Sequence, residues 1–171
     1  MDRAIEIATR AGMPIKIAAK VDRADREYFD ANIRKLLDHP LVEYIDEIGE
    51  NEKQEFLGNA YALLFPVGWP EPFGLVMIEA MACGTPVIAW RNGSVPEVID
   101  EGTTGYIVND IDQAVKAVRR VESMDRRLCR AVFEERFSVS RMCLNYLAVY
   151  QRLCGREPDS TRGDDVLSMT A

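Results

Sequence analysis

Short apolar runs alternate along this chain with longer stretches in which apolar residues recur every three or four positions. The short runs suit strands buried on both faces of a parallel sheet, and the longer periodicity suits helices with one packed face. Together they give the βαβ rhythm of an α/β fold. Residues 2–11 are predicted as a helix ending at Gly12, and residues 14–18 as a strand. An amphipathic helix is predicted at 25–38, with Tyr28, Phe29, Ile33, Leu36 and Leu37 on its apolar side. Strands at 41–45 and 62–66 flank a short helix at 51–57. Further on, the pattern predicts a strand at 87–90, a helix near 95–100 and a short strand at 106–108. Helices follow at 111–123, 125–136 and 138–154. The expected organisation is one domain over residues 1–154 and a disordered tail at 155–171, where Gly, Pro, Ser, Thr and Asp dominate.

Residues 69–88, WPEPFGLVMIEAMACGTPVI, carry the candidate chemistry. Pro70 and Pro72 stiffen a loop, because the proline ring fixes φ and restricts the preceding residue. Gly74 lets backbone amides approach a ligand with no side chain in the way. Residues 75–83 are apolar on every face except at Glu79, which predicts a buried helix. Gly84 stops that helix, and Pro86 lies just beyond. A helix N-terminus opening from a Pro/Gly loop offers free N–H groups and the positive dipole end, which together make an anion site. Glu71 and Glu79 frame it. Glu79 could serve only as a first-turn charge, but a lone carboxylate on an apolar helix is costly unless partnered. Trp69 and Trp90 read as a rim and a core aromatic.

These residues resemble the E-x7-E signature of the retaining nucleotide-sugar glycosyltransferases of family 4, which have the two-domain GT-B fold. The resemblance extends through Pro72-Phe73-Gly74-Leu75 and Glu79-Ala80-Met81-Ala82-Cys83-Gly84-Thr85-Pro86-Val87. It continues in Gly93-Ser94-Val95-Pro96-Glu97-Val98-Ile99 and in Gly102-x-x-Gly105-Tyr106. It covers residues 2–154, in the register of the second, donor-binding domain. The resemblance implies a three-layer, Rossmann-like parallel sheet. It further implies transfer of a sugar from a nucleoside diphosphate to an acceptor hydroxyl, with retention of configuration. Glu79 would accept hydrogen bonds from ribose hydroxyls. The catalytic Glu71 would touch hydroxyls of the donor sugar and stabilise charge at the reacting carbon. Phe73, Gly74 and Leu75 would offer backbone N–H groups to the phosphates. Gly93 and Ser94 are candidate ligand contacts as well as a turn with a capping residue. The family is metal-independent, so no metal or cofactor is expected, and the nucleoside-diphosphate sugar enters as substrate. Two departures stand near the expected nucleotide crevice, where Ala19 and Asp46 occupy positions at which the family usually has glycine.

Composition narrows the alternatives. The chain has 171 residues, 47% hydrophobic and 29% charged, enough for one core of ordinary size. A net charge of −7 argues against nucleic acid as a general partner, without excluding a local phosphate site. No apolar run approaches the roughly 20 residues that span a bilayer, and the N-terminus lacks a signal-peptide core. Four cysteines without a C-x-x-C pair, and a single histidine, suggest a reducing cytoplasm and no metal cluster. His39, before Pro40, reads as a solvated helix end. Neither the dinucleotide nor the P-loop fingerprint is present. Paired glutamates also occur in glycosidases, but those need no diphosphate cradle. A non-catalytic nucleotide-sugar-binding or assembly module and a sugar-nucleotide epimerase are the alternative functions.

A doubly wound half-domain ordinarily opens with a strand that sits in mid-sheet in the order 3-2-1-4-5-6. This chain opens with a helix. By resemblance, the missing strand leads into a loop whose arginine and lysine hold the diphosphate. The expectation is therefore a fragment of a longer enzyme, inactive alone and lacking an N-terminal acceptor domain. A natural split protein and a rearranged sheet are the alternatives. The open position predicts either self-association, with a neighbour filling the gap, or closure of the two edge strands on each other.

Overall fold

The computed structural model describes residues 1–155, so the tail expected at 155–171 lies outside the described residues from 156 onward. The chain forms two compact units, one spanning Met1–Arg130 and one beginning at Ala131. In the first unit, helix α1 (Asp2–Ala11) ends at Gly12, whose φ of 71° is the left-handed conformation that closes a helix C-terminus. Strand β1 (Ile15–Ala18) follows, then an irregular helical segment, β2 (Val42–Asp46), α3 (Glu50–Gly58) and β3 (Leu63–Phe65). The motif helix α4 (Leu75–Ala82) leads to β4 (Val87–Trp90), α5 (Val95–Val98), β5 (Gly105–Val108) and α6 (Ile111–Arg120). The Asp110 carboxylate caps α6 by accepting from the Gln113 amide at 2.8 Å. Helix α7 (Arg126–Arg136) runs into the second unit, which continues as α8 (Val139–Leu153).

All strand pairs are parallel, as the βαβ rhythm predicts, but the sheet is in two pieces: β1 pairs with β2, and β3–β4–β5 forms a separate sheet. Numbered as a doubly wound sheet, β1–β2 matches the neighbours 2-3 and β3–β4–β5 the neighbours 4-5-6. Among the described residues β1 and β3 do not pair, so of the two expected alternatives the closure of the edge strands on each other does not occur. The ladders set which backbone groups turn away from the existing partners. Leu63 donates to Pro86 and so turns toward β4, which directs the peptide groups of alternate Leu64 to the opposite edge. Ile15 likewise donates to Leu41, directing the peptide groups of Lys16 away from β2.

The core sits on the larger sheet. Val87, Ile88 and Ala89 of β4 are all fully buried, so this strand is covered on both faces. Ile88 joins Ile7 of α1, Tyr106 and Val108 of β5, and Ala114, Ala117 and Val118 of α6 in one cluster. Edge strand β3 is only half-buried throughout. Arg126 ties the β3 and β4 approaches together by donating to the carbonyls of Ala60 and Gly58 and to Thr85 Oγ1, at 2.7–2.8 Å.

Two expectations are corrected. The segment predicted as one helix at 25–38 is a series of short turns: a 3-10 turn (Arg23–Asp25), α2 (Arg26–Tyr28), a π-turn (Phe29–Ile33) and a second 3-10 turn (Arg34–Leu36). Only Phe29 and Ile33 are buried there, while Tyr28 is exposed. The Asn32 amide donates to the Tyr28 carbonyl, a side-chain bond that competes with regular helix pairing. The motif helix is also less buried than its composition suggests. Met77, Ala80 and Met81 are buried, but Leu75 is 64% exposed and Glu79 is partly exposed, because one face of α4 opens to solvent.

Candidate functional site

Parallel strands deliver their loops to one end of the sheet, and ligands of open α/β sheets bind outside those carboxyl ends. The loop after β3 carries Trp69 to Gly74, the loop after β4 carries Asn92 to Ser94, and β2 ends at Asp46. Sequence reasoning placed most of its candidates here, and the structure gathers them.

Gly74 is the N-cap of α4, with φ 74°. A Cβ at that position would lie 2.8 Å from Met77 Cε, the movable end of a flexible side chain, and 3.1 Å from Phe65, so it is the left-handed backbone that favours glycine here. The same Cβ would stand 3.6 Å from Glu71 Cγ, which puts the Glu71 side chain against the helix start. The amides of Leu75 and Val76 fall in the first helical turn, where no intrahelical acceptor exists. Glu79 lies four residues after Leu75 and therefore on the same face. The start of α4 thus carries N–H groups outside the intrahelical ladder, with Glu71 against it and Glu79 one turn along the same face as Leu75.

Each carboxylate is held through one oxygen. Glu71 Oε2 accepts from the Trp69 indole N–H at 2.9 Å. Glu79 Oε1 accepts from Lys53 Nζ at 3.0 Å, and the same ammonium donates to Glu50 Oε1 at 2.7 Å. Hydrogen bonding to Glu50, then to Glu79, holds the Lys53 ammonium above its ordinary pKa. Lys53 was not anticipated: it lies on a polar helix, and nothing in its spacing announces a partner 26 residues away.

Gly93 and Ser94 hold the loop in place. A Cβ on Gly93 would fall 2.2 Å from the Glu71 carbonyl oxygen and 2.6 Å from the Glu71 nitrogen. The Ser94 amide donates to the Glu71 carbonyl at 3.0 Å, and Ser94 Oγ donates to the Phe73 carbonyl at 2.7 Å. Asn92 Nδ2 donates to the Val67 carbonyl at 2.9 Å. The turn reading of these residues therefore has direct geometric support, whereas Ser94, though at the N-cap position of α5, makes no side-chain cap bond because its hydroxyl is turned to Phe73. The Ser94 hydroxyl is committed to the protein.

On the smaller sheet, Asp46 adopts φ 61°, the only non-glycine residue with positive φ among those described. This is a physical reason for a glycine at that position. The ladder between β1 and β2 is irregular at the same point, with Ala18 opposite Asp46. Tyr44 OH donates to the Ala19 carbonyl, and burial, with the charge of Asp46, pushes the phenol pKa up. Among the described residues no group of three or more His, Cys, Asp and Glu could hold a metal, and no helix is long and apolar enough to cross a membrane.

A family model described as glycosyl transferases group 1 matches residues 11–135. The N-acetyl-alpha-D-glucosaminyl L-malate synthase of Bacillus anthracis is 40% identical over 89 residues, covering 47% of this chain and 23% of that protein. The solved sucrose-phosphate synthase of Thermosynechococcus elongatus superposes with a TM-score of 0.70 at 25% identity, over 90% of this chain and 43% of that one. The HepE protein of Anabaena, solved in complex with UDP-glucose, gives a TM-score of 0.69 at 17% identity, over 87% of this chain and 44% of that one. The chain therefore spans less than half the length of these proteins.

Proposed function

The chain belongs to the group 1 glycosyl transferases, and from that premise we propose that it forms the nucleotide-sugar donor-binding half of a retaining GT-B enzyme. The single observation that carries this reading is the pair of carboxylates on α4 and its loop, Glu71 against the helix start and Glu79 one turn along the same face as Leu75. A diphosphate needs N–H donors and a positive dipole end, and the amides of Phe73, Gly74 and Leu75 supply them. A ribose needs an acceptor for its hydroxyls within reach of the same helix, and Glu79 is that acceptor. The sugar lies on the loop side, where Glu71 meets its hydroxyls and the charge that develops as the bond to the diphosphate breaks.

The chain's own donors stabilise the departing diphosphate, so electrostatic preorganisation carries much of the rate. No metal or cofactor takes part in this reading. The acceptor is held by a second domain, since the chain corresponds to one half of the two-domain fold. Without it the reactants are not positioned for transfer, and the isolated chain binds donor without turnover.

Titration calorimetry with UDP-glucose and UDP, each alongside its GDP and ADP counterparts, tests the assignment. At least one diphosphate pair is expected to bind. Glu79→Ala is expected to weaken both members of that pair by roughly 1.5–3 kcal/mol, the value of a hydrogen bond to a charged group. Glu71→Ala is expected to weaken the sugar nucleotide more than the bare diphosphate. Equal losses for both variants on both ligands would contradict the two roles.

A further inference from the structure

Trp69 is 62% exposed, although a tryptophan ring is among the largest apolar surfaces a protein can bury. Its counterpart Trp90 packs against the core cluster. Trp69 is not exposed because its loop is loose. Pro70 and Pro72 limit the backbone, and the Glu71 amide donates back to the Trp69 carbonyl at 2.9 Å. Asn92 and Ser94 fix the loop on either side of it, at Val67, Glu71 and Phe73. The indole is thus displayed outward by a fixed backbone, and its N–H is spent on Glu71 Oε2.

We propose that Trp69 is a sugar-recognition residue of the donor site, its indole N–H positioning Glu71 and its exposed ring receiving the C–H-bearing face of the donor pyranose. This inference rests on the nucleotide-sugar reading above and goes beyond it. The chemistry divides cleanly between the two parts of the side chain. A glutamate has three rotatable bonds, and a charge-assisted hydrogen bond to one carboxylate oxygen holds the other in a defined direction. A pyranose offers hydroxyls around its rim and a patch of C–H groups on its face. The adjacent carboxylate and ring answer those two features in turn. A bare nucleoside diphosphate lacks the pyranose that brings both features to this loop, so Trp69 discriminates sugar nucleotide from free diphosphate.

The test uses the purified chain, its Trp69→Phe and Trp69→Leu variants, and three pairs of probes: UDP-glucose with UDP, GDP-glucose with GDP, and ADP-glucose with ADP. Emission of the wild type minus that of Trp69→Phe isolates Trp69 from Trp90. For the pair that binds, the sugar nucleotide is expected to change Trp69 emission and the free diphosphate to leave it unaltered. Trp69→Phe keeps a ring but loses the N–H, and is expected to weaken the sugar nucleotide about tenfold with the diphosphate unaffected. Trp69→Leu, lacking ring and donor, is expected to lose more than Trp69→Phe. Both substitutions are at an exposed position, so unchanged thermal unfolding will show that the fold persists. Equal effects of a variant on both ligands, or no effect on either, would overturn the Trp69 assignment alone. Failure of every diphosphate and every sugar nucleotide to bind the wild type would overturn the nucleotide-sugar reading, and this inference with it.

Discussion

Asp46 shows how much one backbone angle can explain. At φ 61° an ordinary L side chain carries a cost of roughly 1–2 kcal/mol, which glycine escapes and aspartate partly escapes through local hydrogen bonding. Asp46→Ala is therefore expected to destabilise the fold by about 1 kcal/mol, whereas Asp46→Gly is expected to be close to neutral. Urea unfolding of the three proteins measures this, and an Ala variant as stable as the Gly variant would refute it. The oddity of Asp46 was legible in the sequence, as an acid where the resembling family has glycine; its cause was not, because φ is set by the bulge between β1 and β2. Lys53 was illegible for a different reason. Its pairing with Glu79 joins α3 to α4, and no local pattern encodes which charged side chains meet between elements.

At the scale of elements, the loop after β3 depends on the turn after β4. Gly93→Ala would drive a Cβ into the backbone of Glu71, which has no room to yield, and would also strain φ at +51°. Gly102 has φ +78° but open space around it, so Gly102→Ala carries the conformational cost alone. The expected losses are about 3 kcal/mol for Gly93→Ala and about 1 kcal/mol for Gly102→Ala. Comparable unfolding midpoints for the two variants would show that the loop is not clamped at Gly93. Strands and most helices were readable from period alone, since burial on one or two faces writes itself into apolar spacing. Two elements were not. Period counts apolar positions but is blind to Asn32 drawing off the Tyr28 carbonyl, so 25–38 read as one helix. Composition likewise cannot separate an apolar residue in a core from one on a solvent-facing helix face, so Leu75 read as buried.

Across the whole molecule the governing feature is the interrupted sheet. Peptide groups of Lys16 and Leu64 turn toward the open position, whereas β4 is paired on both sides. Amide exchange is therefore expected to be fast at Lys16 and Leu64 and slowest across Val87, Ile88 and Ala89. Unpaired parallel edges also invite another extended segment, so light scattering is expected to show association that grows with concentration. A monomer at all concentrations, with Leu64 protected as strongly as Ile88, would mean that the position is filled from within the chain. The parallel pairing of neighbouring strands was legible, because the βαβ rhythm implies it. Whether the edges would close was not, since that depends on how far the packed helices hold the two sheets apart.

The hold of Asn92, Gly93 and Ser94 on the loop after β3 has a kinetic consequence. Fixing a residue's backbone forfeits roughly 1–2 kcal/mol of conformational entropy, and here that loss occurs as the chain folds. Association then need not order the loop again, so more of the contact energy survives as affinity. An arriving molecule meets a surface already in its final shape, and orientation rather than loop rearrangement limits the on-rate. Exchanging the side chains at Trp69 and Glu71 should accordingly redirect selectivity while leaving the backbone that presents them unaltered.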